Sequence, residues 1–506
     1  MTDAAADVVA QFSLGDLTSS LLIGSAVLLV AVAAVRISAR SGVPSLLLFL
    51  AIGLGIGEAG LGIRFDSAPL TQVLGYAALI LILAEGGLTT TWSGIRQSVA
   101  PAAVLSTVGV AVSVLVVAVA ARFVLDLDWT VALLIGAILT STDAAAVFSV
   151  LRTVALPRRL SGMLEAESGF NDAPVVILVV SLAAQSAPGA EGHPWWMLLV
   201  QAVIELVGGA LVGLLLGRVG GLVLRRVAGA SSGLFSIGVI ALTVLAYAVA
   251  ASVHTSGFLA CYLAALVLGN MGLPHRPAVH GFSSALGSLA QIGLFVLLGL
   301  LAAPYRLGAQ VWVALVVGLV LLLVARPLSV FVSLTPFRIP WRDQVFLSWA
   351  GLRGAVPVVL ATVPATLGSA GTEWVFDLVF VLVVIFTIVQ APTLPWVARR
   401  LGLAESVQQV ELSVESTPLE RIDADIIEVT IGEDSRLHGV EVFELRLPPG
   451  ANVTLIVQDG TATVPTPQTK LKHGDQLLII ATADVRRATE ARLRAVDRGG
   501  RLAGWT

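Results

Sequence analysis

Thirteen apolar runs, each separated from the next by a short loop, leave this chain little to fold in water with. They lie at residues 16–37, 44–58, 69–92, 98–121, 129–152, 162–186, 195–223, 233–252, 255–271, 281–302, 308–334, 343–366 and 374–398. About 20 apolar residues in a helix span the roughly 30 Å hydrocarbon core of a bilayer, and most of these runs reach that length. Only 12% of the residues are charged and 57% are hydrophobic. A soluble domain carries about 25% charged residues. The chain therefore reads as an all-α polytopic membrane protein whose main partner is the lipid bilayer. A net charge of -3 gives a nucleic acid nothing to bind. The single cysteine, Cys261, can form neither an internal disulfide nor a cysteine metal site.

Orientation follows from arginine, which concentrates in cytoplasmic loops. Alternate loops hold Arg36, Arg40, Arg96, Arg152, Arg158, Arg159, Arg218, Arg225, Arg226, Arg276, Arg326, Arg338, Arg342, Arg399 and Arg400. The opposite loops hold Arg64, Arg122 and Arg306. Fifteen against three puts the N-terminus outside and the C-terminus in the cytoplasm. The acidic start, Met1–Asp7, lacks the basic segment of a cleavable signal peptide. The membrane part is expected over residues 1–400 and a polar, acidic linker over 401–424. A small cytosolic α/β module follows over 425–495, then a tail over 496–506. In that module 425–431, 452–458 and 476–481 read as strands, Asp459-Gly460 as a hairpin turn and 483–496 as a helix.

Within the sixth run, Glu165-Ala166-Glu167-Ser168-Gly169-Phe170-Asn171-Asp172-Ala173-Pro174 stands where hydrocarbon is expected. A charge at bilayer depth costs at least ~2.5–3.5 kcal/mol, so acids here point to function. Glu167 and Asn171 are spaced i,i+4, as are Ser168 and Asp172, so one helix face collects them. Asp172 reads as an acid that holds either a proton or a monovalent cation, and that competition suffices for exchange. Ser168, Thr142 and Asp143 read as its neighbours, and Asn171 as a structural residue holding the site. Glu167 and Arg353 are expected to pair with each other, because an unpaired buried arginine is expensive. Glu165, close in sequence to Arg158 and Arg159, reads as a solvated acid near the cytoplasmic surface. Glu85, late in the third run, reads as a residue of the cytoplasmic entrance.

Two other runs are poorly suited to a continuous helix. The fifth contains Thr140-Ser141-Thr142-Asp143, whose side chains compete for backbone hydrogen bonds. The twelfth contains Gly351-Leu352-Arg353-Gly354-Ala355-Val356-Pro357. These runs are seven apart. If runs 1–6 and 8–13 are two copies, corresponding helices point in opposite directions, and paired interruptions mark a binding site near the bilayer midplane.

The strings Ser141-Thr142-Asp143-Ala144-Ala145-Ala146-Val147-Phe148, Glu167-Ser168-Gly169-Phe170-Asn171-Asp172, Glu85-Gly86-Gly87-Leu88 and Gly351–Pro357 together resemble the bacterial NhaP-type cation:proton antiporters. The resemblance spans the whole membrane part. It implies about 13 helices with the fifth and twelfth crossing unwound, and a homodimer of mobile-core protomers in the plasma membrane. It makes Asp172 the ion- and proton-carrying acid, with Ser168, Asp143 and Thr142 in the site. It makes Glu167 and Arg353 a structural pair and places Glu85 on the cation approach. Asn171 beside Asp172 resembles the electroneutral branch, which exchanges one cation for one proton. One departure is Ala144, where many relatives have proline.

The tail strings Gly432-Glu433-Asp434-Ser435, Leu447-Pro448-Pro449-Gly450, Leu455–Gly460 and His473-Gly474-Asp475-Gln476-Leu477-Leu478 resemble an RCK C-terminal (TrkA-C) domain. That resemblance implies a regulatory module, usually dimeric, and favours potassium over sodium as the exchanged ion. No cofactor is implied beyond K⁺ or Na⁺ and H⁺. Some such domains bind cyclic di-AMP, and no residue here can be assigned to it.

Two other classes compete with this reading. A potassium channel needs a carbonyl filter, and the nearest string, Thr107-Val108-Gly109-Val110, lies inside an uninterrupted apolar run. An intramembrane aspartyl protease could use Asp143 and Asp172, but its Gly-x-Gly-Asp element is missing from the membrane part.

Overall fold

The computed structural model describes residues 14–41, 44–58, 60–63, 65, 67–143, 147, 156–187, 195–227, 231–369, 371–372, 374–403, 415–419, 424–432, 435–458, 461–482 and 484–500. Ala144, the hairpin turn Asp459-Gly460 and most of the expected linker lie outside the described residues. The chain forms two compact units, Met1–Glu405 and Ser406–Thr506.

In the first unit the helices are α1 (Leu14–Ser41), α2 (Ser45–Ile56), α3 (Ala68–Thr89), α4 (Val99–Val124), α5 (Trp129–Ile138), α6 (Arg158–Gln185) and α7 (Trp195–Val227). They continue with α8 (Ser232–Ser252), α9 (Gly257–Asn270), α10 (Arg276–Leu301), α11 (Pro304–Phe337), α12 (Trp341–Trp349), α13 (Ala355–Thr366) and α14 (Val375–Arg400). Among the described residues nine of them are long and apolar enough to cross a membrane; α2, α5, α9 and α13 are shorter apolar helices. Among the described residues they fall within or overlap the thirteen apolar runs, the twelfth run being divided into α12 and α13. Proline and serine set several starts. Ser67 Oγ accepts from Leu70 N ahead of α3, which carries Pro69 in its first turn.

The irregularities recur seven runs apart, as an inverted repeat requires. The second and ninth runs are both short, as α2 and α9. The fourth and eleventh each contain a π-helical turn, Leu105–Gly109 in α4 and Leu321–Ala325 in α11. The fifth and twelfth are both broken: α5 ends at Ile138 and Ser141–Asp143 are non-helical, while residues 350–354 are non-helical between α12 and α13. π-turns are rare and tend to mark functional positions. The turn in α11 is followed at once by Arg326, which is only 5% exposed. Arg326 is thus a buried residue of a span and not a cytoplasmic loop arginine. The arginine bias stands at fourteen to three without it.

The second unit is a five-stranded antiparallel sheet with strand order β1-β2-β5-β3-β4. The strands are β1 (Glu415–Leu419), β2 (Ala424–Thr430), β3 (Ala451–Gln458), β4 (Thr461–Thr463) and β5 (Gln476–Thr482), followed by α15 (Arg486–Gly499). Strand β5 pairs with β2 through Ile427↔Ile479 and with β3 through Val453↔Ile479, with a register shift between Val453 and Leu455. Ile427, Val429, Ile456, Leu477 and Ile479 form the core with Leu493 and Val496 of α15. Residues 415–419, expected in a linker, instead form the edge strand β1, with Pro418 opposite Asp425. An edge strand is where a sheet tolerates proline, which has no ladder amide to donate.

Candidate functional site

The two broken runs meet. Asp143 N donates to Leu352 O at 2.9 Å, joining the interruption after α5 to the one before α13. The approach is close enough to exclude a side chain at residue 354: a Cβ on Gly354 would overlap the Asp143 carboxylate. Backbone freed at membrane depth has to be satisfied by protein, and here two arginines supply much of it. Arg353 donates from Nε to Leu139 O at 2.7 Å, at the C-terminal end of α5, and from an Nη to Gly351 O at 2.6 Å. Arg326 donates to Leu347 O at 3.3 Å, near the C-terminal end of α12. Each cation therefore sits where a half-helix ends and its dipole is negative.

The acid balancing these charges is Glu167, which is 2% exposed. Its carboxylate pairs with Arg326, at 2.5 Å to one guanidinium nitrogen and 2.9 Å to another. The expected Glu167–Arg353 pairing is therefore corrected: Arg326 is the direct partner, and Arg353 is occupied by carbonyls. The two guanidinium groups flank Gly351, and Arg353 still lies within electrostatic reach of Glu167.

Asp172 lies one helical turn beyond Ser168 on α6 and is buried, with Ser141 Oγ donating to its Oδ1 at 2.7 Å. Ser168 Oγ donates to Thr142 O at 3.1 Å, and Asn171 Nδ2 donates to Thr142 Oγ1 at 2.6 Å. Asn171 thus fastens α6 to the broken segment. The Asp172 carboxylate, the Ser168 hydroxyl, the Thr142 carbonyl and the Asp143 carboxylate come together as hard oxygen donors, the type that suits alkali cations. Ser141, which holds Asp172 directly, was not singled out from the sequence, although it stands two residues before Asp143 in the same polar string.

These groups line one side of a cavity of about 320 Å³. From α6 the lining residues are Glu165, Ser168, Gly169 and Asp172, spaced i, i+3, i+4 and i+7, a single helical face. Glu85 and Thr89 of α3, Tyr262 of α9 and Gln291 of α10 complete the lining. The Glu85 carboxylate packs over Gly287, with Ser284 beside it. Glu165 is half-buried and lines the cavity. Arg159, one of its expected neighbours, is instead paired with Asp343.

Replacing Gly354 by alanine is expected to force the Asp143 carboxylate away from the crossing. Overpacking of this kind costs about 1–3 kcal/mol, and thermal unfolding of the detergent-purified protein should register it together with a loss of transport.

Both parts of the chain resemble known proteins. Residues 26–400 match the family described as sodium/hydrogen exchanger, transmembrane, and residues 426–501 match the TrkA-C domain. The chain is 36% identical over 474 residues to the K(+)/H(+) antiporter NhaP of Alkalimonas amylolytica, covering 92% of this chain and 82% of the relative. It is likewise 36% identical over 479 residues to the K(+)/H(+) antiporter NhaP2 of Shewanella oneidensis, covering 92% and 81%. Its fold is similar to that of the sodium proton antiporter MjNhaP1 from Methanocaldococcus jannaschii, with a TM-score of 0.67 at 22% identity over 76% of this chain and 99% of that one.

Proposed function

Because the chain belongs to the sodium/hydrogen exchanger family and carries a TrkA-C domain after its transmembrane part, we propose that it is a secondary active antiporter exchanging cytosolic K⁺ for an external proton. The observation that carries this reading is Asp172, a buried carboxylate beside two broken helices, opening onto a cavity lined by oxygen donors. A desolvated carboxylate cannot stay charged and unpaired, so it takes either a proton or a cation. If both compete for one group, neither crosses on the same trip as the other. Movement of the Asp172 region relative to the rest of the cavity lining would then present the loaded acid to each side in turn.

The site assignments follow. Asp172 carries the ion and the proton, Ser168 and Thr142 ligate the cation, and Asp143 completes the polar wall. Glu85 lines the cytoplasmic entrance, while Asn171, Glu167 and Arg353 hold the geometry. With Asn171 neutral, Asp172 is the one exchangeable charge of the pair, so exchange is one-for-one and electroneutral. The choice of K⁺ over Na⁺ rests on the relatives' names, since these oxygens suit either ion.

The protein is a multi-pass membrane protein. We place it in the bacterial plasma membrane with the N-terminus outside and the C-terminal domain in the cytoplasm, as the arginine bias indicates. A homodimer through both units, and a regulatory ligand such as cyclic di-AMP on the TrkA-C domain, extend the reading to partners. The chemistry is ion exchange and makes or breaks no bond in a substrate.

Proteoliposomes containing a pH-sensitive dye test the reading. A K⁺ pulse is expected to drive proton flux of opposite direction, and no K⁺- or Na⁺-driven flux would refute it. Competition also fixes a sign. Each drop of one pH unit is expected to raise the half-saturating K⁺ concentration, by up to about tenfold where protonation dominates. A half-saturating concentration that stays flat with pH would show that the two ions do not share a group.

A further inference from the structure

Among the polar side chains of the cavity that have no role in this scheme, Glu165 and Tyr262 lie together. Glu165 precedes Asp172 by seven residues on α6, so both carboxylates share one face, about 10 Å apart along the helix at 1.5 Å per residue. Tyr262 of α9 lies across that face between them: a Cβ on Gly169 would fall within 2.6 Å of its Oη. The ring is fixed edge-on against Phe170, with centroids 5.9 Å apart. The side chain is 2% exposed; among the described residues its hydroxyl completes no hydrogen bond of normal geometry, with the Thr90 side chain beside it and Glu165 within electrostatic reach. A buried hydroxyl without a partner loses about 1–3 kcal/mol unless something fills its coordination. Here it faces a polar cavity beside a carboxylate.

We propose that Glu165 and Tyr262 form a second station for the transported alkali cation, between the mouth of the cavity and Asp172. The carboxylate supplies the charge, the phenol supplies an oxygen on the path, and water completes the shell. A cation would pass from Glu165 over the Tyr262 hydroxyl to Asp172 without crossing a stretch of bare hydrocarbon. Gly169 is what permits the phenol to lie on α6 at that point. This inference rests on the reading that Asp172 is the exchange acid.

The test uses the full-length protein in proteoliposomes. E165Q and Y262F are each expected to raise the half-saturating K⁺ concentration about fivefold with the maximal rate within about twofold, the pattern of lost binding. The double variant is expected to go little beyond the larger single effect, because both residues serve one station. E165D should restore part of the loss. Binding of radiolabelled Rb⁺ to detergent-purified protein gives an independent measurement: D172N should retain weak binding that E165Q/D172N lacks. Half-saturation unchanged in both single variants, or residual Rb⁺ binding insensitive to E165Q, would overturn the station while leaving Asp172 in place. Full exchange by D172N would instead remove the reading on which the station rests.

Discussion

Replacing Asp172 by asparagine abolishes exchange of both ions while the protein still folds; that is the largest effect expected here. Asparagine has nearly the same shape and can still accept the hydrogen bond that Ser141 Oγ gives Asp172 Oδ1 at 2.7 Å. What it cannot do is release a proton or neutralise a cation. A buried cation without its counter-charge is worse off by several kcal/mol. At about 1.4 kcal/mol per factor of ten, the rate should fall at least ~100-fold. D172E should keep partial activity, since it retains the charge and displaces it by one methylene. Dye-reported proton flux measures the loss, and an unchanged melting temperature shows that it is not a folding defect. Flux at the wild-type rate in D172N would mean that another group carries the ions.

The second large effect concerns stability. Glu167 is paired with Arg326, and Arg353 binds the carbonyls of Leu139 and Gly351. E167A would leave two buried guanidinium groups without their acid, and R326A would leave the acid without its cation. Breaking a buried pair from one side costs about 3–5 kcal/mol. R353A removes two hydrogen bonds to carbonyls but unpairs no acid, so a smaller loss of about 1–3 kcal/mol is expected. Thermal unfolding in detergent, read with the yield of folded protein, should order the three variants this way. If R353A proved as damaging as E167A while R326A was harmless, the pairing seen here would not be the one that stabilises the protein.

The polar stripe on α6 is legible in the sequence because hydroxyl, amide and carboxyl groups recur at i,i+4 in a run that is otherwise apolar. The broken crossing was equally legible, since Thr140–Asp143 and Gly351–Pro357 are poor helix formers at matching places in two halves. Arg326 was not. It stands at the end of an apolar run, where an arginine reads as a loop anchor, yet it follows the π-turn at Leu321–Ala325 and is buried. The place of Glu165 in the cavity lining was harder to see for a related reason. Its nearness to Arg158 and Arg159 suggested a solvated cluster, but Arg159 reaches across to Asp343, on α12. Sequence spacing alone, seven residues before Asp172, already placed Glu165 on the Asp172 face. Tyr262 carried no such signal: it sits in an apolar helix and gains its meaning only from contact with Gly169. Strand β1 was hidden by its composition, because a polar segment with a proline looks like a linker unless the edge of a sheet is there to receive it.

The most direct test of coupled exchange at a single carboxylate is the null point of proton flux in proteoliposomes, with the membrane voltage set independently of K⁺. One-for-one exchange predicts zero net proton flux when the K⁺ ratio across the membrane equals the proton ratio, at every voltage. A null point that moves with voltage, or a K⁺ current that flows without protons, would contradict electroneutral antiport through Asp172.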